Sequence, residues 1–312
     1  MRAVSLGHAG ILINSGESRI LCDPWFVPAF FGSWFVFPRN DKLSPDLLAE
    51  IESPTHLYIS HIHGDHLDEA FLADHVSRDA VVLLPDFPGQ ELERRLSVLG
   101  FKNFLKTKNG QEISIDSCTK IAIHVETSIT DGPGGDSALV VSDGRTRLVN
   151  QNDCRTGNLN ALLEQGPVDL HWLQYSGAIW YPMVYEDNEA TKRKLAAAKV
   201  ESQFARALKY VQTLNAKAVV PSAGPPCFLD ESLFHLNVIT GDEISIFPDQ
   251  HEFLKRLKQQ NRVNDILAIP GTIIDISPEA IKATHPKDID IENIFTDKKE
   301  FCLTHSGACC RH

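Results

Sequence analysis

Four potential metal ligands occupy six consecutive positions of this chain: His61, His63, Asp65 and His66. They directly follow the apolar run Leu57-Tyr58-Ile59, which reads as a short buried strand. Neutral imidazole and carboxylate are the ligand types that suit zinc, iron or manganese. Gly64 lets the backbone turn sharply, so both leading histidines and the Asp65/His66 pair can point into one space. A polar loop with surface histidines is the plainer alternative, and thirteen histidines make some clustering expected by chance. Three histidines and an aspartate this close together, on the lip of a strand, favour a metal site.

The rest of the chain alternates strand and helix patterns. Residues 2–6, 10–13 and 19–22 read as three short strands separated by Gly-containing turns. His8, at the first turn, is expected to be a structural histidine bonding the backbone. Asp23 ends the third strand, where a turn cap before Pro24 is the simple reading. Residues 25–38 hold Trp25, Phe26, Phe30, Phe31, Trp34, Phe35 and Phe37 without a clean period, so they read as an ordered aromatic loop, either a core flap or a wall of the site. Helices are expected over 45–51, 67–75 and 89–99, with a buried strand at Val81–Leu84 between the last two. Strands are expected at 112–115, Lys120–Glu126, 137–141, 147–150, 168–173 and 218–220, the 168–173 strand bearing His171 as a satisfied core histidine. Residues 174–185 form a second aromatic loop with Tyr175, Trp180, Tyr181 and Tyr185. Glu189–Leu214 is the longest helix, its lysines reading mainly as a solvated face. A helix at Gln250–Gln259 and closing strands at 266–269 and 272–276 complete the pattern. This alternation suggests sheets covered by helices.

The His-x-His-x-Asp-His pattern resembles the signature of the metallo-β-lactamase superfamily. Gly7-His8-Ala9, Asp23-Pro24-Trp25-Phe26 and Ser60 look like the branch that holds the ascorbate-phosphate lactonases and the N-acyl-phosphatidylethanolamine phospholipases D. Closer still is the metallo-β-lactamase-like domain of CMP-N-acetylneuraminate hydroxylase and its bacterial relatives. There the similar features are the aromatic loop after Asp23-Pro24-Trp25, Asn152-Asp153-Cys154, and Pro221-Ser222-Ala223-Gly224. The resemblance implies one αββα domain over residues 1–300: two mixed sheets face to face, with helices outside.

The resemblance also implies a ligand set of His61, His63, Asp65, His66 and Asp153 for one or two divalent ions. Asp65 carries the catalytic assignment and Asp23 orients a ligand histidine. Trp25, Tyr175, Trp180, Ser222 and Gly224 are candidate substrate contacts, with the amides of residues 221–226 able to cradle an anion. Two departures stand out. The superfamily usually supplies a histidine after the strand at 121–125 and another after the strand at 218–220. Here those places read Thr127-Ser128-Ile129-Thr130-Asp131 and Pro221-Ser222-Ala223-Gly224, with His124 an uncertain substitute and Asp131 a possible completing group.

Composition narrows the function. The hydrophobic share of 43% and the charged share of 23% are ordinary for a soluble globular chain. A net charge of −11 argues against a general binder of nucleic acid or anionic membranes. No apolar run reaches transmembrane length, and seven cysteines do not suggest a disulfide framework, so cytoplasm is the simplest compartment. Residues 301–312 are off-pattern and read as a disordered tail. Their Cys302-x-x-His305 and Cys309-x-x-His312 pairs mimic a zinc knuckle with too short a spacer, and they are not the Cys-x-His…Cys-x-x-His pattern of a Rieske cluster. The leading expectation is a metal-activated water hydrolysing a phosphate-bearing or lactone-type small molecule. The alternatives are the substrate-holding, oxygen-using half of a hydroxylase, served by a separate Rieske-type electron donor, and a degenerate binding module.

Overall fold

Arg2–Gly7 (β1), Gly10–Ser15 (β2) and Ser18–Cys22 (β3) form the antiparallel meander that the Gly-containing turns lead one to expect. They belong to a computed structural model that describes all residues except 129–133, 178, 225–226, 238–243, 245, 288, 292, 297 and 299–312. Asp131 and the Cys/His-rich tail therefore lie outside the described residues. After Pro45–Glu52 (α1), the chain returns as His56–Tyr58 (β4), parallel to β3. Glu69–His75 (α2), Val81–Leu84 (β5), Glu91–Val98 (α3) and Phe104–Lys106 (β6) follow, with β5 and β6 extending the parallel edge.

The second sheet is built by Ile113–Ser114 (β7), Lys120–Glu126 (β8), Asp136–Ser142 (β9) and Arg147–Asn152 (β10), all antiparallel neighbours. Leu170–Gln174 (β11) and Ala218–Ser222 (β12) then join β10 in parallel, with Glu189–Leu214 (α4) as the crossover between them. Gln250–Gln259 (α5) packs outside this sheet. Ile273–Ile276 (β13) and Ile281–Thr284 (β14) return to the far edge of the first sheet, followed by Asn293–Thr296 (α6).

Alternation of side chains assigns the faces. Ile11, Ile13, Ile20 and Tyr58 of the first sheet meet Ile121, Leu139, Leu148 and Trp172 of the second in one apolar layer. Leu12, Leu21, Leu57 and Val82 point the other way, under α1, α2 and α3. Val149, Leu173 and Val219 do the same under α4 and α5. Strands apolar on both faces are what helix-covered sheets require. The αββα sandwich expected from the resemblance is thus present, and no helix among the described residues is long and apolar enough to cross a membrane.

The expected strand at 266–269 is not formed. Ile266, Ala268 and Ile269 are buried, but only Ile266 N–H reaches a strand, donating to the Val219 carbonyl at 2.9 Å, while Ile269 N–H donates to Thr272 Oγ1. The aromatic loop is a core flap at its base and exposed at its tip. Trp25 and Trp34 are buried, an Ala29–Trp34 bridge staples its tip, and Phe31 at that tip is fully exposed. Asp68, the N-cap of α2, accepts from Phe26 N–H and Val27 N–H and so ties this loop to the metal loop.

Candidate metal centre

The site forms where strand ends from both sheets converge. Four non-glycine residues that close strands are held at positive φ there: His8 (50°), Asp23 (42°), Asn152 (50°) and Ala223 (44°). Each costs about 1–3 kcal/mol and persists only where the surroundings impose it. The turns aim side chains that a continuing strand would carry elsewhere.

Asp23 is the hub. Its carboxylate is fully buried and accepts from Ser60 N–H and Ser60 Oγ–H, each at 2.7 Å, and from the Asn152 side-chain amide. Its Oδ2 lies 3.1 Å from His66 Nδ1. A carboxylate can only accept, so His66 donates through Nδ1 and presents Nε2 as its free lone pair. That Nε2 is buried without a hydrogen-bond partner, 3.6 Å from Asp153 Oδ1, which is also buried and unpartnered. The other oxygen of Asp153 accepts from the Gln174 side-chain amide. Two orphaned electron-rich atoms, a lone-pair nitrogen and a carboxylate oxygen, facing each other at 3.6 Å, suit an intervening cation. The residues present therefore fit a metal.

The remaining ligands close in around this pair. His61 Nε2 and His63 Nδ1 are 2.9 Å apart. His61 Nδ1 is 3.0 Å from Ser60 Oγ and 3.4 Å from Asp136 Oδ1. Asp65 Oδ2 lies 3.9 Å from His66 Nε2 and 3.1 Å from His8 Nε2. Among the described residues, two groups have all their ligand atoms within 4.8 Å of one another: His61, His66 and Asp153, and His8, Asp65 and His66. Burial resists a charge on His66, but Asp153, Asp65 and Asp23 outweigh it and push its pKa up to about 10. Burial acts to raise the Asp65 carboxyl, yet His66 and His8 hold it below the usual carboxylate range. Burial, then Asp153, raises the Asp136 carboxyl well above that range, and burial, then His66, lowers His61. The site as a whole favours a cation.

His61, His63, Asp65, His66, Asp153 and Asp23 thus come together as the sequence leads one to expect. His8 does not follow expectation: its ring turns into the site rather than bonding the backbone, because the left-handed turn at residue 8 redirects it. Asp136, which opens β9, and Gln174, which ends β11, carry no motif, and only their positions at strand ends could have pointed to them. His124 lies elsewhere, with its ring beside Gly110. His171 is a core histidine, as expected, 2.8 Å from Gln151 Oε1.

The substrate candidates are mixed. Trp25 and Tyr175 are 1% exposed, Trp25 donating to the Val27 carbonyl and Tyr175 to the Pro248 carbonyl, so neither offers an open face. Trp180 packs on Phe228 and Phe247. Ser222 sits opposite Gln174 across the β11–β12 pair, its hydroxyl buried and unpartnered. The amide of Ala223 is already donated to the His8 carbonyl, so it cannot serve an anion, and residues 225–226 lie outside the described set. Gly224 is a packing requirement: a Cβ there would stand 2.5 Å from the Tyr175 hydroxyl. Gly224→Ala is expected to lower stability by about 1–3 kcal/mol, read as an earlier urea midpoint. An unchanged midpoint would show that Tyr175 can give way.

No family model matches the chain. It is 45% identical over 304 residues to a protein of Mycolicibacterium smegmatis named as a Rieske 2Fe-2S iron–sulfur protein, covering 96% of this chain and 58% of that one. It is 27% identical over 302 residues to the cytidine monophosphate-N-acetylneuraminic acid hydroxylase of Mus musculus, covering 91% of this chain and 48% of that one. The chain thus spans about half the length of the curated relatives it matches. Among solved structures, a metallo hydrolase of Ignicoccus hospitalis matches at TM-score 0.56 with 15% identity, covering 92% and 99% of the two chains. CmlA, a diiron β-hydroxylase of Streptomyces venezuelae, matches at 0.54 with 16% identity, covering 91% and 54%. The sequence resemblance is borne out, and the chain has the metallo-β-lactamase fold.

Proposed function

We propose that this chain of metallo-β-lactamase fold is the substrate-holding half of an iron-dependent hydroxylase acting on a small molecule, with electrons supplied by a [2Fe–2S] partner. One observation carries the reading: each candidate group consists of two imidazoles and one carboxylate, the set that suits non-haem iron with positions left open. The relatives lend support, since one is named for a Rieske cluster and another as a hydroxylase of a sugar nucleotide. So does Cys310-Arg311-His312, which has the Cys-x-His spacing of half a Rieske pattern.

When bound, the metal supplies activation of oxygen. The balance is substrate C–H plus O2, two electrons and two protons to substrate C–OH and water, with the electrons from the iron–sulfur partner. The protein's own work is to orient and to exclude water. Asp23 fixes the tautomer of His66, Gln174 holds one oxygen of Asp153 so that the other faces the ion, and the stapled aromatic loop walls the site. In this reading Asp65 serves as a ligand. A cytoplasmic location belongs with this reading. Metal-activated hydrolysis is the second reading, favoured by the same two-imidazole, one-carboxylate set, which also serves zinc hydrolases.

Elemental mass spectrometry on protein purified without chelators is the test. Iron, diminished in the His61→Ala/His63→Ala variant, with hydroxylation that depends on a reduced iron–sulfur protein, is the expected result. Zinc with turnover of phosphoesters or lactones and no electron donor would install hydrolysis instead. No metal in either protein would end both.

A further inference from the structure

We propose that His8 is itself a metal ligand, completing with Asp65 and His66 the protein set for a second transition-metal ion. This rests on the metal reading above and deepens it. The geometry is built rather than incidental. His8 Nε2, Asp65 Oδ2 and His66 Nε2 lie within 4.8 Å of one another, and all three residues are buried. His66 Nε2 has no other partner. The His8 ring is wedged edge-on against Trp25, with centroids 4.9 Å apart, and against His66 at 5.8 Å. Its backbone is held at φ 50° and anchored by Ala223 N–H donating to its carbonyl at 3.0 Å. A strained, clamped histidine with its nitrogen beside a carboxylate and a bare imidazole is pre-organised for an ion.

Counting lone pairs divides the site. His66 has one free lone pair and can serve one ion. If His8 and Asp65 share that ion with His66, the other keeps His61, His63 and Asp153, again two imidazoles and a carboxylate. The separation of 2.9 Å between His61 Nε2 and His63 Nδ1 agrees. Two nitrogens about 2.1 Å from one ion at a right angle would stand about 3 Å apart. The end of β12 that lies against His8 brings Ser222 and Ala223 and no imidazole, so His8 fills that side.

The alternative is that His8 only donates a hydrogen bond that orients Asp65. His8→Gln separates the two, because a glutamine can still donate to Asp65 but does not replace an imidazole ligand. Wild-type protein, His8→Ala, His8→Gln and His61→Ala/His63→Ala would be titrated with iron(II) and with zinc, bound metal being measured after desalting. Two equivalents in the wild type and one in each variant is the expected result, with melting of the metal-free proteins within a few degrees. Two equivalents in either His8 variant would overturn the ligand role while leaving the metal reading intact. No metal in the wild type would overturn both. A wild type that holds only one ion would overturn the second site while leaving the metal reading intact. If His8→Ala does not fold, zinc titration of 15N-histidine-labelled wild type reads the same point, through a shift at His8 Nε2.

Discussion

Asp23→Asn is expected to weaken metal binding by 10- to 100-fold while costing far less stability than Asp23→Ala, which should lose about 3–5 kcal/mol. The split follows from what the carboxylate does. Fully buried, it accepts from Ser60 twice, from Asn152 and from His66. Alanine leaves all four donors unpaired and sits poorly at a φ of 42°. Asparagine tolerates that φ and keeps the volume. Its amide nitrogen, however, faces donors. The least costly arrangement turns that nitrogen toward His66 Nδ1, making Nδ1 the acceptor and moving the ring proton to Nε2, where the ion must bind. Affinity then falls with the fold largely kept. Metal titration beside urea unfolding reads both quantities. An asparagine variant that binds metal like the wild type would show that Asp23 does not set the tautomer of His66.

The contrast between Asp23 and His8 shows what the chain reveals by itself. The ligand loop was legible because its residues are consecutive and follow a strand, so one local turn gathers them. Asp23 and Asp153 were legible only through the resemblance, since a carboxylate ending a strand is equally a turn cap. His8 was not legible. Its role depends on a left-handed turn that nothing in Gly7-His8-Ala9 demands, and on the end of β1 meeting both Asp65, in the loop after β4, and Ala223, after β12, which belong to different sheets. Asp136 likewise approaches His61 only because the sheets face each other. The segment at 266–269 misled for a related reason. Apolar residues report burial, and burial there comes with a single strand hydrogen bond, from Ile266 to Val219, and no continuing ladder. Among the described residues the sandwich could be foreseen from its two-sided apolar strands, whereas the convergence of their ends could not.

Between about pH 6.5 and pH 3 the protein is expected to lose stability through His171, outside the metal site. Burial, then the charge of Arg262, brings the His171 pKa down to about 3. Gln151 donates its amide to the Cys154 carbonyl, so its Oε1 must accept from His171 Nε2–H. His171 Nδ1 is left buried and bare, and a proton there would have no partner. The sign follows from proton counts. The unfolded chain protonates this histidine below about 6.5 and the folded chain only below about 3, so acid favours unfolding across that window. The slope is about 1.4 kcal/mol per pH unit, and the whole effect is roughly 5 kcal/mol. His171→Gln keeps a donor for Gln151 and cannot titrate. Its deficit relative to the wild type at pH 7 should therefore shrink by about 3 kcal/mol at pH 4. Urea unfolding of the two metal-free proteins at pH 7, 5.5 and 4 measures this, and the acid sensitivity of the metal site cancels in the difference. Parallel stability curves would mean that His171 takes up its proton in the folded protein as readily as in the unfolded chain.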